Sequence, residues 1–284
     1  LETVEECVKN DLGRLTANFH QSVTQTHRLS SSGGKYKLQF HNFPRAFKRL
    51  FRARRDGWLI CEADAPQLEF RVAVDLGCDK QGLEDILRGV DVHQFTASVM
   101  GLDRTPAKAF TFKPLYGGTS GTPAERAYYD AFRKKYSNVY DTQLGWVYSV
   151  LRDKALRIPS GLIFYWPDTE LTKTGYITNT PSIFNYPVQS FATADIIPLT
   201  LALVWHKLKG KKISIVNTVH DSIISEVHPD DLDDYRKILI ESFTQDIYWM
   251  LDKLYGYKFT VPLGVGIKFG KFWGEGEEEK HERH

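Results

Sequence analysis

Two short apolar runs that each meet an acid are the clearest signal in the chain. Residues 58–64, WLICEAD, are mostly apolar, end on Asp64 and have the length of a strand. Residues 212–227, KISIVNTVHDSIISEV, read as strand, tight turn and strand, with His220 and Asp221 at the turn. Between them, residues 80–155 are mostly helical with Gly and Pro at the breaks, and 158–184, rich in Pro, Gly, Thr and Tyr, predict loops and a small hairpin. Helix is expected to resume near Gln189, a further helix to span about 229–254, and a last strand to lie near 261–267. Upstream, 11–29 suggest a hairpin or an irregular β segment, and SSSGG at 30–34 a flexible turn. The sum is an α+β fold: an antiparallel sheet carrying acids, with a helical block inserted between its strands. The longest apolar candidate, 196–205, is short and holds Pro198, so it is read as a buried core helix; no apolar run reaches the length of a membrane span, and no signal peptide is visible.

Composition changes this picture in a few places. With 284 residues, 42% of them hydrophobic, the chain can bury a sizeable core as one large domain or two intertwined ones. It opens on Leu1 rather than Met, the expectation for a processed or trimmed piece of something longer. The three cysteines, Cys7, Cys61 and Cys78, show no metal-ligand spacing and suit a reducing compartment. A net charge of +2 says nothing about nucleic acid, but its distribution does. Lys35, Lys37, Arg45, Lys48, Arg49, Arg52, Arg54 and Arg55 follow one another with no acid among them, the footprint of phosphate binding or of a solvated charged face. The C-terminal EGEEEKHERH is acidic and expected to be disordered.

Two carboxylates on neighbouring strands repel unless something neutralises them. Two Mg2+ ions about 3.5–4 Å apart would neutralise Asp64 and Asp221 and would clamp the attacking and leaving oxygens of a phosphoryl transfer. Mg2+ takes one or two protein carboxylates and completes its shell with substrate phosphates. Taken singly, Asp64 is more simply a strand-end cap and Asp221 a turn former. In RTPAKAFTFKPLYG at 104–117, Arg104, Lys108, Phe112 and Tyr116 fall at steps of four. On a helix each step drifts by about 40°, so the four form one gently winding stripe. A core-facing stripe would not start with Arg and Lys, and a solvent-facing one would not end with Phe and Tyr. Two cations followed by two aromatics suit a triphosphate at one end and a base and sugar at the other; the alternative is an amphipathic helix with charged ends.

Taken together, these motifs resemble family A DNA polymerases, the group typified by bacterial DNA polymerase I. DAPQLEFR at 64–71 resembles that family's first palm motif, DYSQIELR, and VHDS at 219–222 resembles its VHDE. The finger-helix pattern RxxxKxxxFxxxYG is matched in full by Arg104, Lys108, Phe112, Tyr116 and Gly117. THRLSS at 26–31, DVH at 91–93, NYPVQ at 185–189 and VGIKFGKFWGE at 265–275 resemble flanking signatures, in the family's order. The resemblance implies a right-hand polymerase: palm over 1–79 and, with the acidic tail, 185–284; fingers over 80–184; thumb and exonuclease largely absent. It implies a template-directed DNA polymerase core that adds dNTPs to a primer 3′ end by two-metal phosphoryl transfer.

The resemblance also implies roles. Asp64 and Asp221 would hold two Mg2+ ions, with Mn2+ as a substitute, and the Ala65 carbonyl would lie close to them. Arg104 and Lys108 would bind the incoming triphosphate, with Lys108 donating a proton to pyrophosphate and His93 assisting at the phosphates. Phe112 would face the sugar and base, and Tyr116 the templating end. Glu69 would lie beneath the sugar and block a 2′-hydroxyl, and Gln67 completes the nucleotide-binding set. Arg28, Asn185 and Gln189 would read the minor-groove edge of the primer-template, His220 would lie near the primer end, and Arg52, Arg54 and Arg55 would meet duplex phosphates. Each has a plainer reading: Glu69 a surface acid, His93 and Gln189 helix caps, Arg28 a simple phosphate binder. The implied partners are primer-template DNA, dNTPs and a thumb or exonuclease segment or separate subunit, with no membrane; the implied location is cytoplasmic, the host cytoplasm if phage-encoded.

The sequence departs from the family in several places. Ser222 replaces the glutamate after the motif aspartate, and Glu62 is a poor substitute for it. Pro114 should kink or end the finger helix before Tyr116. QSFATAD at 189–195 carries one residue more than the family's QGTAAD, and GLIFYWPD stands around Gly161 where an arginine run is usual. These features resemble a phage-type branch. Two other readings stay open: a single-subunit RNA polymerase-like enzyme, against which Glu69 and Phe112 argue, and a non-catalytic nucleic-acid binding module, against which Asp64, Asp221, Arg104 and Lys108 argue.

Overall fold

The computed structural model of the protein describes residues 5–6, 9–10, 13–21, 23–33 and 44–283. Cys7, Lys35 and Lys37 lie outside the described residues, as do residues 11, 12, 22 and 34 of the two upstream segments. In chain order the strands are β1 (Asn18–His20), β2 (Ser30–Ser32), β3 (Leu59–Asp64), β4 (Ala155–Arg157), β5 (Ile163–Tyr165), β6 (Ile213–Val219), β7 (Ser222–Val227), β8 (Gly264–Gly270) and β9 (Glu279–Glu282). The chain forms two compact units, one of Leu1–Pro66, Ile197–Ile247 and Gly264–Glu282, the other of Gln67–Ile196, Tyr248–Leu263 and Arg283–His284. These limits fall elsewhere than the motif-based limits at 79/80 and 184/185.

The first unit is built on an antiparallel sheet in the order β6-β7-β3-β8-β9. β7, between β6 and β3, is buried along its whole length, and its partners β3 and β6 bring Ile60 and Val219 to a cluster with Ala53, Ile224 and Trp273. Helix Leu232–Glu241 buries Tyr235, Ile238 and Leu239, and Tyr235 Oη lies 2.5 Å from Ser225 Oγ on β7. Two expectations are corrected here. SSSGG does not begin as a flexible turn: Ser30–Ser32 pair with β1, and Ser32 Oγ meets His20 Nε2 at 2.7 Å. Nor is the acidic tail disordered throughout. Glu279–Glu282 pair with β8, Arg236 holds Glu279 through Nε at 2.7 Å, and Lys268 lies 3.6 Å from Glu278. Two of the tail's acids, Glu278 and Glu279, are matched by cations and the backbone of Glu279–Glu282 completes a sheet edge, so composition alone misjudged it.

The second unit is mainly helical, with helices Leu68–Leu76, Lys80–Leu87, Val92–Met100, Arg104–Thr111, Pro123–Lys135 and Ser137–Asp153, followed by the β4–β5 hairpin. Its core is aromatic: Phe70, Phe132 and Tyr136 meet edge to face, with ring centroids 5.1 Å apart for Phe70–Tyr136 and 4.8 Å for Phe132–Tyr136. Asp75 is 5% exposed and accepts from Tyr257 Oη at 2.6 Å and from the Thr260 and Val261 backbone N–H groups. Those side-chain bonds occupy the donors that a strand would use. The strand expected near 261–267 therefore starts at Gly264 and runs to Gly270 as β8, and β9 rather than β8 is the last strand.

Helix resumes at Thr180, not near Gln189, because Pro181 sits in the first turn, where a missing N–H costs nothing. The run then passes through a π-helix, Phe191–Ile196, into helix Ile197–Lys207. QSFATAD runs from the end of helix Thr180–Ser190 into that π-helical stretch, whose wider turn holds one residue more than an α-turn. As a whole, Thr180–Lys207 is long and apolar enough, by length and composition, to cross a membrane, which corrects the reading that no run reaches that length. Half of its most apolar window is buried in the protein, and Gln189 and Asp195 hydrogen-bond to Glu69 and Tyr255, as expected of a core helix.

Candidate active site

Asp64 and Asp221 come together in the first unit because the ladder leaves them no choice. Asp64 is the last residue of β3 and pairs with Ser222, the first of β7. Val219 pairs with Ser222 across the β6–β7 hairpin, so His220 and Asp221 form its two-residue turn. His220 has φ +56°, a conformation glycine adopts at lower cost, and it is exposed. The Ala65 N–H donates to the Asp221 carbonyl at 3.2 Å, which extends the β3–β7 contact past Asp64 and ties down the turn. Ser222 Oγ donates to Asp64 Oδ1 at 2.7 Å. Both aspartates are half-buried. Glu62 shares the face of Asp64 along the regular strand but is bonded to Lys48 Nζ at 2.8 Å. No group of three or more His, Cys, Asp or Glu gathers into a metal-binding cluster among the described residues.

In the second unit, the predicted stripe is only partly helical. Arg104 and Lys108 lie on helix Arg104–Thr111, Phe112 is its C-cap, and Tyr116 ends a 3-10 turn, Lys113–Tyr116, that contains Pro114. The proline ends the α-helix as expected. Arg104 and Lys108 are exposed, whereas Phe112 is half-buried, stacked on Phe70 at 6.0 Å and edge-on to His93 at 5.6 Å. Asp91 caps helix Val92–Met100 by accepting from the His93 and Gln94 N–H groups, and it also accepts from Arg104 Nε at 2.5 Å. Burial acts to raise the Asp91 pKa, but the hydrogen bonds from Arg104 and the helix N–H groups outweigh it and hold the carboxyl below its usual range. His93 is held through Nδ1 by Thr111 Oγ1 at 2.9 Å; burial lowers its pKa, the Arg104 and Lys108 charges lower it further, and Asp91 opposes them. Glu69 and Gln189 come within 3.5 Å of each other, and Gln67 caps helix Leu68–Leu76 with φ +53°. Asn185 Oδ1 is buried without a hydrogen-bond partner among the described residues.

The basic segment is less uniform than its sequence. Arg54 is bound through Nε and its backbone N–H to Glu226, a carboxylate only 4% exposed. Arg55 lies over the Trp58 ring at 4.4 Å, and Arg52 pairs with Phe272 in an isolated bridge. Arg28 Nε is buried without a partner among the described residues. The residues that sequence reasoning missed are Asp91, Glu226 and Asp75. Asp91 alone left a signal, an Asp just before an apolar helical run.

A profile of DNA polymerase family A matches residues 1–275. The thermostable DNA polymerase I of Thermus filiformis is 27% identical over 304 residues, covering 98% of this chain and 35% of that protein. That of Thermus thermophilus is 29% identical over 293 residues, covering 94% of this chain and 33% of that protein. The chain thus spans about a third of the length of these relatives. Among solved structures, the POL domain of Pol1 from M. smegmatis, in complex with DNA primer-template and dNTP, matches with a TM-score of 0.78 at 23% identity, over 96% of this chain and 50% of that one. The shared fold agrees with the α+β architecture of antiparallel sheet and inserted helices.

Proposed function

Because the chain belongs to DNA polymerase family A, we propose that it is the catalytic core of a template-directed DNA polymerase, adding dNTPs to a primer 3′ end within a larger or split enzyme. The observation that carries this reading is that Asp64 and Asp221 meet at one sheet end: Asp64 pairs with Ser222, the residue after Asp221, and the Ala65 N–H donates to the Asp221 carbonyl. Family A DNA polymerases are generally divalent-metal dependent. The donors fit Mg2+: two carboxylates, one at the end of β3 and one in the adjoining β6–β7 turn, and the first of them, Asp64, has an Oδ2 that accepts no hydrogen bond among the described residues. When bound, two such ions would supply charge neutralisation at the attacking and leaving oxygens. Asp64 and Asp221 would hold them, with the Ala65 carbonyl nearby.

The other roles follow from chemistry. Arginine offers a planar fork of donors, so Arg104 would clamp phosphate, whereas lysine can serve as a general acid, so Lys108 would protonate the leaving pyrophosphate. His93 would contact phosphate, and its lowered pKa favours the neutral ring. Phe112 and Tyr116 would bound the base and sugar, with Gln67 at the nucleotide. Glu69 would block a 2′-hydroxyl, and its approach to Gln189 supports a fixed carboxylate there. Asn185, Gln189 and Arg28 would meet the minor-groove edge, which the unpartnered Asn185 Oδ1 and Arg28 Nε support. His220 would lie near the primer end. Arg52 and Arg55 would meet duplex phosphate; Arg54, spent largely on Glu226, would do so least. Palm and fingers, with a thumb or exonuclease from another segment or subunit, complete the reading, in the cytoplasm of its cell or host.

Primer extension with Mg2+ tests this. The chain should extend a DNA primer with dNTPs, distributively and with steep loss at higher salt, since phosphate contacts release counterions. Glu69→Ala should admit ribonucleotides. Extension by the wild type with rNTPs alone would favour the RNA polymerase reading, and intact DNA binding without any extension the non-catalytic one.

A further inference from the structure

We infer that Ser222 is a positioning residue that sets the Asp64 carboxylate for a divalent cation, an inference that rests on the polymerase reading above. Ser222 is 6% exposed, and its hydroxyl lies 2.7 Å from Asp64 Oδ1. An ionised carboxylate has only acceptors, so the hydroxyl is the donor. A hydrogen bond to a charged oxygen is about twice as strong as a neutral one, and burial spares this one from competition with water.

The geometry is set by backbone rather than by side-chain choice. Asp64 and Ser222 are direct partners in the β3–β7 ladder, and Ser222 also pairs with Val219 in β6. Strands on both sides therefore hold the serine, and the Ala65 to Asp221 bond holds the next step. With Oδ1 tied, the Asp64 carboxylate cannot rotate freely, and Oδ2 is the oxygen left for a cation. Where the family motif has a third carboxylate, this chain has a neutral hydroxyl that orients a ligand without adding charge. Without Ser222, the Asp64 carboxylate would regain its rotation, and every cation bound would have to arrest it again.

The test is Mn2+ binding to the full chain without DNA or nucleotide, followed by electron paramagnetic resonance. Groups that orient a metal ligand typically matter by about 10–100-fold in affinity. Ser222→Ala should therefore weaken Mn2+ binding about tenfold or more, with an unchanged thermal midpoint and a raised Mg2+ requirement in primer extension. Ser222→Thr keeps the hydroxyl and a residue that suits a strand, and should restore binding. Ser222→Cys keeps the size with a poor donor, should behave like alanine, and carries the test if Ser222→Ala loses its fold. Asp64→Ala is the control that separates the two readings. If Asp64→Ala weakens Mn2+ binding while Ser222→Ala and Ser222→Cys match the wild type, the positioning role is overturned and the metal site stands. If Asp64→Ala and Asp221→Ala both bind Mn2+ as the wild type does, the metal site falls and the positioning role with it.

Discussion

The acid end of the sheet and the cationic helix hold their charges by different means. Asp64 and Asp221 are placed by strand register, where a slip of one residue would turn every side chain to the opposite face. Arg104 and Lys108 stand exposed on a helix of 8 residues, and Arg104 is steadied by a side chain, Asp91. Positions that must not move are written into the ladder. On the proposed reading, a position that must release one partner to take up a phosphate is left to side chains.

The comparison can be broken most sharply at the acids. Asp64→Ala and Asp221→Ala should each cut primer extension by more than a hundredfold, about 2.7 kcal/mol in barrier, while duplex affinity in a gel-shift titration stays close to wild type. Residual activity above that level would remove the residue concerned from the metal set. On the helix the effect should split by chemistry. Lys108→Ala should lower kcat by about 100-fold or more, the usual share of a general acid, whereas Arg104→Ala should act mainly on KM. Matching kinetic signatures for the two would end the proton-donor role.

Smaller effects sharpen the contrast. Arg54→Ala removes the guanidinium from a buried carboxylate and should cost about 1–3 kcal/mol in a denaturant melt. Arg52→Glu and Arg55→Glu should instead weaken DNA binding for all sequences alike and flatten its salt slope by about one each. Equal stability losses at the three positions would erase that division of labour. Asp91→Ala should cost about 1 kcal/mol through the lost helix cap, and should raise KM for dNTP as Arg104 loses its anchor. The mildest test is a titration of the His93 ring by NMR. Its midpoint should fall below 6.5 and should rise in Lys108→Ala. Because the folded ring holds its proton less well than the unfolded chain, its contribution to stability is full above pH 6.5 and fades as pH falls.

Much of the layout was legible in the chain. The 58–64 strand, the turn at His220 and Asp221, and the helix break at Pro114 rest on local signals, apolar run length and the missing N–H of proline. The failures have two causes, one local and one long-range. The helix start at Thr180 was hidden by a proline that reads as a breaker but sits in a first turn, and the late start of β8 by Asp75, far away in sequence, capturing the donors of 260 and 261. The tail strand needed Arg236 and the open edge of β8, neither of which tail composition contains.

By itself, then, the sequence determined which residue types stand in which order: the two acids, the cations four apart, the aromatic positions and the family they resemble. Those follow from covalent order and short-range propensity. Only the tertiary structure decided which charges are free to act. It tied Arg54 to Glu226, gave Arg104 to Asp91 and set Ser222 against Asp64, because each pair joins residues whose separation along the chain carries no local signal, from 13 positions for Asp91 and Arg104 to 172 for Arg54 and Glu226. Long-range pairing of that kind is settled by register and burial, and those exist only once the chain has packed.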